Sequence, residues 1–276
     1  MTVYHHVDVF ADRPFTGNSL AVFVDPPPLE DAQLSAITRE LRHFETIFVS
    51  DTLEARVFDL VEELDFAGHP VLGAAAVLHE RAGAATGEWD FSLRAGTVRV
   101  TTRSAGGRVF ALMDQGHPEI IRSGVPAAGV AAALGLSPDD LQGELEVIST
   151  GLRYLIVPVR DGDALARARI VHPDFAALLA EYGAQYAYLL DPATPEGRHW
   201  NNDGVVEDVA TGSAAGCVAA YLLRHGFSAE GQEVRLAQGR FTGRPSQIVI
   251  AAADGRVTVG GSVSFVGTGT LRELPS

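Results

Sequence analysis

The feature of this sequence that most constrains its fold is an internal repeat. Residues 65–96 and 208–239 align without a gap at a shift of 143 positions, and eight of the paired residues are identical. Composition alone would give about two or three identities over a window of this length. The identical pairs are Asp65/Asp208, Ala67/Ala210, Gly73/Gly216, Ala76/Ala219, Arg81/Arg224, Gly83/Gly226, Leu93/Leu236 and Gly96/Gly239. Such a repeat predicts a chain built from two related units.

Shorter matches extend the repeat on both sides of this window and keep the chain order. They are Thr16-Gly17 with Thr150-Gly151, at a shift of 134, and Gly107-Arg108-Val109 with Gly255-Arg256-Val257, at a shift of 148. The length of 276 residues also approaches twice the ~150 residues of a typical domain. We therefore predict two homologous, pseudo-symmetric halves, residues 1–118 and 119–276.

Each half has the same predicted order of elements: a strand, a helix, a second strand, a helix of small residues, and then β-hairpins. The predicted strands are Leu20–Val24, Thr46–Val49, Leu155–Val159 and Tyr186–Leu190, and the predicted helices are Leu29–Arg42, Pro70–Arg81, Pro173–Tyr182 and Ser213–Arg224. Gly83 and Gly226 suit left-handed helix caps, while Gly106-Gly107 and Asp254-Gly255 suit hairpin turns. This pattern predicts an α+β fold, with a curled, mostly antiparallel sheet around one central, buried helix in each half.

Composition excludes several classes of function. The chain has no lysine, so all 21 basic residues are arginine, which excludes pyridoxal-phosphate enzymes, Schiff-base aldolases and Walker-A nucleotide hydrolases. The net charge of −14 argues against nucleic-acid and membrane-surface partners, which need basic patches. The single cysteine, Cys217, excludes an internal disulfide and any two-thiol mechanism, and its helix predicts an inert packing role. With neither a membrane-length apolar run nor a secretion signal, we expect a cytoplasmic protein.

The starts of the two small-residue helices are candidates for a ligand site. Asp65–Pro70 and Asp208–Ser213 each combine glycine, capping side chains and backbone amides. A helix N-terminus carries about half a positive charge and binds anions through its N–H groups. Pseudo-symmetric halves can direct both helix starts into one cleft, so we expect a small carboxylate substrate there. We expect no metal site, because His5-His6 lacks acidic or cysteine partners at metal spacing.

Glu45, His69 and Asp208 are candidate catalytic residues, and each has a simpler interpretation. Glu45 is either a surface glutamate at the start of a strand or a general acid–base whose pKa is raised by apolar neighbours. His69 is either a capping histidine or part of the site, and Asp208 is either an N-cap or part of the site. Thr211 and Ser213 are ordinary capping residues too. Their repeated placement at two helix starts favours the functional interpretation.

Motifs along nearly the whole chain resemble the phenazine-biosynthesis PhzF-like isomerase family. They are Val7-Asp8-Val9-Phe10, Arg13-Pro14-Phe15-Thr16-Gly17-Asn18, Glu45-Thr46, Phe66-Ala67-Gly68-His69-Pro70, Glu207 to Gly216, Gln238-Gly239 and Gly243-Arg244-Pro245-Ser246. The resemblance implies a diaminopimelate-epimerase-like fold with the active site between two similar domains. It also implies a cofactor-independent isomerase that acts on a small cyclic or amino-acid-like carboxylate in phenazine-type or other antibiotic biosynthesis.

The resemblance also implies roles for individual residues. Glu45 would be the proton shuttle, with His69 and Asp208 as further catalytic residues around the substrate. The substrate-binding residues would be Asn18, Gly68, Thr211, Gly212 and Ser213. The chain departs from the family pattern at Val71, at Val209 and in the loop 199–203, which is either a surface loop or part of the site. The substrate therefore stays open between a phenazine precursor, an alkylproline unit and another small molecule.

Two other functions are compatible with this scaffold. An amino-acid epimerase is one, although related epimerases use two cysteines and this chain has only Cys217. A non-catalytic small-molecule-binding protein is the other, although an acidic Glu45 would be of no benefit to a binder of anions. The sequence leaves the oligomeric state open, with a homodimer as one option.

Overall fold

The computed structural model describes the backbone of residues 1–276 and every side chain except that of Ala105. The chain divides into two compact units, the first formed by Met1–Asp114 with Gly260–Ser276, and the second by Gln115–Val259. The sequence-based division between residues 118 and 119 lies close to the first of these boundaries. It differs at the C-terminus, because residues 260–276 lie in the first unit.

The elements of the first part of the chain are β1 (Thr2–Val9), β2 (Asn18–Val24), α1 (Asp31–Leu41), β3 (Glu45–Val49), β4 (Ala55–Asp59), β5 (Glu63–Leu64), α2 (Gly68–Ala82), β6 (Thr86–Leu93), β7 (Gly96–Ala105) and β8 (Arg108–Gly116). Those of the rest are β9 (Glu119–Arg122), α3 (Ala127–Ala133), β10 (Glu146–Ser149), β11 (Arg153–Pro158), α4 (Gly162–Arg167), α5 (Phe175–Glu181), β12 (Tyr186–Asp191), β13 (Glu196–Arg198), α6 (Gly212–Arg224), β14 (Val234–Gln238), β15 (Ser246–Ala253) and β16 (Arg256–Leu271). Short 3₁₀ helices cover Pro138–Asp140 and Arg240–Thr242.

In the first unit a curled sheet surrounds α2. Its strand order is β5-β4-β3-β2-β1-β16, and β16 also pairs with β8, which continues into β7 and β6. An isolated bridge joins Glu54, directly before β4, to Ser92 of β6, so the sheet curls back toward itself. Helix α2 contacts β1, β2, β3, β6 and β7, so it occupies the centre of the unit. Helix α1 packs on the outer face of the sheet through Leu34 and Ile37.

In the second unit the strand order is β15-β14-β13-β12-β11-β10-β9. Helix α6 contacts β10, β11 and β15 on one face. Side chains of a strand alternate between its two faces, and Leu155 and Val157 of β11 point to the other one. There they pack against Leu165 of α4 and Phe175 and Leu179 of α5. The sheet therefore has one central helix on one face and short helices on the other.

Both units show the same crossover before the central helix. In the first, β2 and β3 are parallel and α1 connects them; in the second, β11 and β12 are parallel and α4 and α5 connect them. An antiparallel neighbour follows each time, β4 next to β3 and β13 next to β12. The predicted α+β fold, with a curled sheet around a central helix in each half, is confirmed.

Two glycines that pair in the repeat explain why the central helices consist of small residues. A Cβ atom at Gly73 would meet the side chains of Leu20 and Val9. A Cβ atom at Gly216 would meet Gln115 and Val257. Each helix therefore lies closer to its sheet than a side chain at these positions would allow.

The predicted caps and turns are confirmed. Gly83 has φ 61° and Gly226 has φ 76°, both at the C-terminal end of a central helix. The hairpin turns at Gly106-Gly107 and Asp254-Gly255 have positive φ at both positions, as a two-residue hairpin turn requires. The sequence pattern did not predict α3 and α4, because their 7 and 6 residues do not fill the window of about 11–18 residues over which helical periodicity is recognised.

Cys217 is a free, fully buried cysteine on α6. Burial raises the pKa of its thiol to about 12, so the predicted inert packing role agrees with its surroundings. Within the described residues, no helix combines the length and the apolar character needed to cross a membrane.

Candidate active-site residues

The strand register of the first unit places Glu45 and Asn18 on the inner face of the sheet. Leu20 of β2 pairs with Glu45 of β3 in a parallel ladder, and Leu20 faces Gly73 of α2. Opposed residues of neighbouring strands point to the same face, as do residues two apart on one strand. Glu45 and Asn18 therefore share the face that Leu20 presents to α2. Asn18 is only 2% exposed.

Glu45 and His69 form a close acid–base pair in this unit. The Oε2 atom of Glu45 lies 3.5 Å from Nδ1 of His69, and the side chains are 20% and 7% exposed. His69 is the second residue of α2, directly after Gly68, which begins the helix. The partial positive charge of the helix N-terminus attracts the carboxylate of Glu45. A solvated surface glutamate, the simpler interpretation of Glu45, does not agree with this burial.

In the second unit a hydrogen-bonded network holds Asp208. Its Oδ2 atom accepts a hydrogen bond from Oγ1 of Thr211 at 2.7 Å, and its Oδ1 atom accepts one from the N–H of Ala210 at 3.3 Å. The N-cap of α6 is Thr211, so the interpretation of Asp208 as the N-cap is wrong. Thr211 makes no side-chain cap bond, because its hydroxyl donates to Asp208 instead.

Gln238, which is 1% exposed, fixes the loop that carries Asp208. Its Oε1 atom accepts hydrogen bonds from the N–H of Thr211 at 3.1 Å and from the hydroxyl of Tyr188 at 2.9 Å. Its Nε2 atom donates to Oγ1 of Thr211 at 2.9 Å and to the carbonyl of Asp208 at 3.0 Å. Because all four bonds are satisfied, the amide has one orientation and the loop is preorganised.

The start of α6 presents hydrogen-bond donors. Gly212 and Ser213 are its first two residues, and among the described residues no hydrogen bond uses the backbone N–H of either one. The Oγ atom of Ser213 lies 2.7 Å from the hydroxyl of Tyr154 and makes no cap. This helix start therefore has the free N–H groups that an anion site needs.

The loop 199–203 begins inside the protein. His199 and Trp200 are 6% and 8% exposed, so the surface-loop interpretation is wrong for these two residues. The Nδ1 atom of His199 lies 2.9 Å from the carbonyl oxygen of Ala187, and burial lowers the pKa of His199 although the charge of Asp208 opposes this effect. A neutral His199 donates from Nδ1 to that carbonyl.

The structure thus gathers the predicted residues in two clusters, one in each unit. The first holds Asn18, Glu45, Gly68 and His69, and the second holds Asp208, Thr211, Gly212 and Ser213. The sequence pattern did not predict Tyr154 as a neighbour of Ser213. The shift of 134 places Tyr154 opposite Leu20, and this exchange of an apolar for a hydroxyl-bearing residue was the available signal.

Glu144, Glu146 and His225 of the second unit have side-chain atoms close enough to hold a cation. Glu146 is fully buried, and its oxygens already accept hydrogen bonds from Ser123 at 2.7 Å, Arg224 at 3.1 Å and His225 at 3.0 Å. Because the guanidinium of Arg224 already supplies the positive charge, we interpret this group as a buried ion-pair network.

Comparison with known proteins places this geometry in one family. Residues 7–270 match the model of the phenazine biosynthesis-like protein family. The chain is 37% identical to a trans-2,3-dihydro-3-hydroxyanthranilate isomerase from Pseudomonas fluorescens, over 97% of this chain and 98% of that protein. It is 47% identical to a solved predicted epimerase from Pseudomonas aeruginosa, with a TM-score of 0.91 over 99% of this chain and 100% of the other.

The epimerase-like fold is also shared with a more distant structure. A probable proline racemase from Agrobacterium radiobacter is 14% identical, with a TM-score of 0.60 over 98% of this chain and 93% of that one; this likeness concerns the fold alone. The named isomerases among the relatives also overturn the alternative of a non-catalytic binding protein. The chain therefore belongs to the phenazine biosynthesis-like family and is an isomerase.

Proposed function

We propose that this enzyme moves a proton, and with it a double bond, within a small conjugated carboxylate. The proposed substrate is trans-2,3-dihydro-3-hydroxyanthranilate or a close analogue in phenazine-type or other antibiotic biosynthesis. The support for this substrate is the relative that is named for it, which is 37% identical over 97% of the chain. The observation that carries the proposed chemistry is the contact between the half-buried Glu45 and the buried His69.

Glu45 is the proposed proton shuttle. Its carboxylate takes a proton from a saturated ring carbon, the electron pair moves into the conjugated system, and the carboxyl returns a proton to the far end of that system. His69, at 3.5 Å from Glu45, orients the carboxyl and the polar groups of the substrate. This sequence conserves atoms and electrons and uses only side chains of this chain. Such proton transfer typically contributes about 10²–10⁴-fold to the rate.

The start of α6 is the proposed holder of the substrate carboxylate. The N–H groups of Gly212 and Ser213 have no acceptor among the described residues, and the chain has no lysine to serve instead. Asp208 orients the amino or hydroxyl group of the substrate, since its carboxylate accepts hydrogen bonds and Thr211 and Gln238 fix its loop. Asn18, Gly68 and Thr211 complete the proposed set of substrate-binding residues.

Turnover in deuterated buffer tests the proposal. Purified enzyme is mixed with trans-2,3-dihydro-3-hydroxyanthranilate, and NMR follows loss of substrate and deuterium at the carbon that gains a proton. We expect catalytic turnover without added metal or cofactor, with deuterium in the product wherever the Glu45 carboxyl exchanges with solvent. Absence of turnover would reject this substrate, and turnover that requires an added cofactor would reject the mechanism.

Amino-acid epimerisation is the second candidate, because a relative with 47% identity is described as a predicted epimerase. The only thiol of the chain is buried, with a pKa raised to about 12, which leaves no cysteine pair for α-proton exchange. Incubation of L- and D-amino acids, proline and hydroxyproline included, in deuterated buffer separates the candidates. Exchange at Cα at a rate comparable to substrate turnover would favour epimerisation.

A further inference from the structure

Tyr154 is held rigidly beside the start of α6. It lies on β11, is 2% exposed, and pairs with Tyr186 across the parallel ladder. Its ring centroid lies 5.5 Å from that of Tyr186 and 5.6 Å from that of His199, and the ring of His199 is nearly perpendicular to it. Because these rings pack against it, the side chain of Tyr154 is fixed with its phenol oxygen 2.7 Å from Oγ of Ser213.

The chemistry of the two hydroxyl groups sets the direction of their hydrogen bond. A phenol is a stronger acid than an alcohol, so Tyr154 is the better donor and Ser213 the better acceptor. Burial raises the pKa of Tyr154 far above its ordinary value, and the hydrogen bond with Ser213 only partly offsets this. Tyr154 therefore stays protonated over the pH range in which proteins are folded. Its O–H donates the hydrogen bond to Oγ of Ser213.

The consequence concerns the proton of Ser213. When Oγ of Ser213 accepts from Tyr154, its own O–H must point elsewhere, and the described residues offer it no other acceptor. The first N–H groups of a helix point outward along the helix axis. The O–H of Ser213 is then available on the same helix start as the open N–H groups of Gly212 and Ser213. Donation by Tyr154 also polarises this O–H and strengthens it as a donor.

We propose that Tyr154 is a positioning residue, which fixes the hydroxyl of Ser213 as a hydrogen-bond donor to the carboxylate of the substrate. This inference rests on the proposed function, in which the start of α6 binds that carboxylate. Tyr154 itself does not touch the substrate in this arrangement. Its contribution is expressed through Ser213 and only toward ligands that carry a carboxylate.

Calorimetric titration of four proteins with two ligands tests the proposal. The proteins are wild type, Tyr154→Phe, Ser213→Ala and the double variant. The ligands are 3-hydroxyanthranilate and 2-aminophenol, which lacks the carboxylate. Each single variant should bind 3-hydroxyanthranilate about three- to tenfold more weakly, and the double variant should bind it no more weakly than Ser213→Ala. Affinity for 2-aminophenol should stay unchanged in all four.

Tyr221→Phe is the matched control. Tyr221 lies on α6, is also buried, and donates to the carbonyl of Glu144 at 2.9 Å, so its loss should leave both affinities unchanged. The melting temperature of each variant reports its folding. If Tyr154→Phe does not fold, the proposal is tested by comparing Ser213→Ala with the wild type. Equal affinities of these two proteins for 3-hydroxyanthranilate would show that the hydroxyl of Ser213 donates no hydrogen bond to the ligand, and would overturn the proposal.

Two further results would overturn the proposal. One is an equal loss on Tyr154→Phe whether or not Ser213 is present, which would indicate packing alone. The other is a wild type that binds 3-hydroxyanthranilate no more tightly than 2-aminophenol. Failure of the proposed function is a separate observation, namely absence of turnover of trans-2,3-dihydro-3-hydroxyanthranilate by the wild type.

Discussion

The starts of α2 and α6 occupy the same place in the two units, yet they differ in chemistry. The second residue of α2 is His69, which faces the carboxyl of Glu45 at 3.5 Å. The second residue of α6 is Ser213, whose oxygen meets the phenol of Tyr154 at 2.7 Å. One helix start has a carboxyl beside an imidazole, and the other has hydroxyl groups and backbone N–H donors. The two units therefore share a scaffold but differ in the residues at equivalent helix starts.

The strand pairing shows where the two units diverged. The first residues paired in the parallel ladders are Leu20 with Glu45 in the first unit and Tyr154 with Tyr186 in the second. The counterpart of Glu45 in the second unit is thus Tyr186. An aliphatic residue beside a carboxyl in the first unit therefore corresponds to two neighbouring, tilted phenol rings in the second.

The largest expected effect is that of Glu45→Gln, which keeps the shape of the side chain and removes its basic oxygen. We expect the turnover number to fall by about 10²–10⁴-fold or more, with affinity for 3-hydroxyanthranilate nearly unchanged. Glu40→Gln, on the exposed end of α1, is the control and should keep full activity. A variant at position 45 that retains more than a tenth of the wild-type rate would remove Glu45 as the shuttle and make Asp208 the next candidate.

Asp208→Asn tests the proposal that Asp208 orients the substrate and does not transfer the proton. The amide preserves one acceptor for Thr211, which now donates at 2.7 Å, but it carries no charge. We expect kcat/KM to fall about 10–100-fold, mostly through KM, because a hydrogen bond to a charged group is worth about 1.5–3 kcal/mol. Steady-state kinetics separate the two parameters. A fall in kcat as large as that of Glu45→Gln would assign proton transfer to both residues.

The far ends of the same two helices differ as well. On α2, His79 meets neutral hydroxyl groups, with its Nδ1 2.9 Å from Thr102 and its Nε2 3.0 Å from Ser104. Near the end of α6, His225 lies 3.0 Å from the carboxylate of Glu146, which is fully buried. The end of α2 therefore has neutral hydrogen bonds, and the end of α6 has an ion-pair network. The contribution of the α6 end to stability should depend more strongly on pH.

The pKa of the Glu146 carboxyl determines the direction in which pH changes the stability of this network. Burial acts to raise its pKa, but hydrogen bonds from Ser123 and His225 and the charge of Arg224 outweigh burial, and the net pKa lies below the ordinary value of 4.5. A carboxyl with a lowered pKa stabilises the fold above its unfolded-state pKa, and that stabilisation is lost as pH falls through its folded-state pKa. The loss should begin below about pH 5, near the unfolded-state value.

Glu146→Gln should therefore lower the free energy of unfolding at pH 7 by about 1–3 kcal/mol, because it removes a buried charged acceptor. The gap to wild type should shrink as pH falls below the ordinary carboxyl pKa, where the wild type also loses the charge. Urea denaturation at pH 7 and at lower pH measures both. Glu144→Gln, an exposed neighbour, is the control, and a gap that stays constant with pH would contradict the ion-pair interpretation.

The central helices, their caps and the hairpin turns could be predicted from the sequence because each has a local signal. Gly83 and Gly226 are one such signal, a glycine at the end of an apolar helix. The repeated helix starts and the family resemblance indicated His69 and Asp208, and the resemblance indicated Glu45 as the proton shuttle. The partners of those residues could not be predicted this way. Gln238, for example, contacts Asp208 across a sequence separation of 30 residues, and such a contact depends on strand register and rotamers that only the fold fixes.

The smallest expected effect is that of Ser213→Ala. Its size separates the contribution of the Ser213 hydroxyl to carboxylate binding from that of the backbone N–H groups at the helix start. The N–H groups of Gly212 and residue 213 survive this substitution, so the variant loses one neutral hydrogen bond worth about 1 kcal/mol. Affinity for 3-hydroxyanthranilate should fall about fivefold. Ser228→Ala, beyond the far end of α6, provides the control and should bind as the wild type does. A loss above a hundredfold would mean that the hydroxyl oriented by Tyr154, rather than the backbone of the helix, dominates carboxylate binding in this unit.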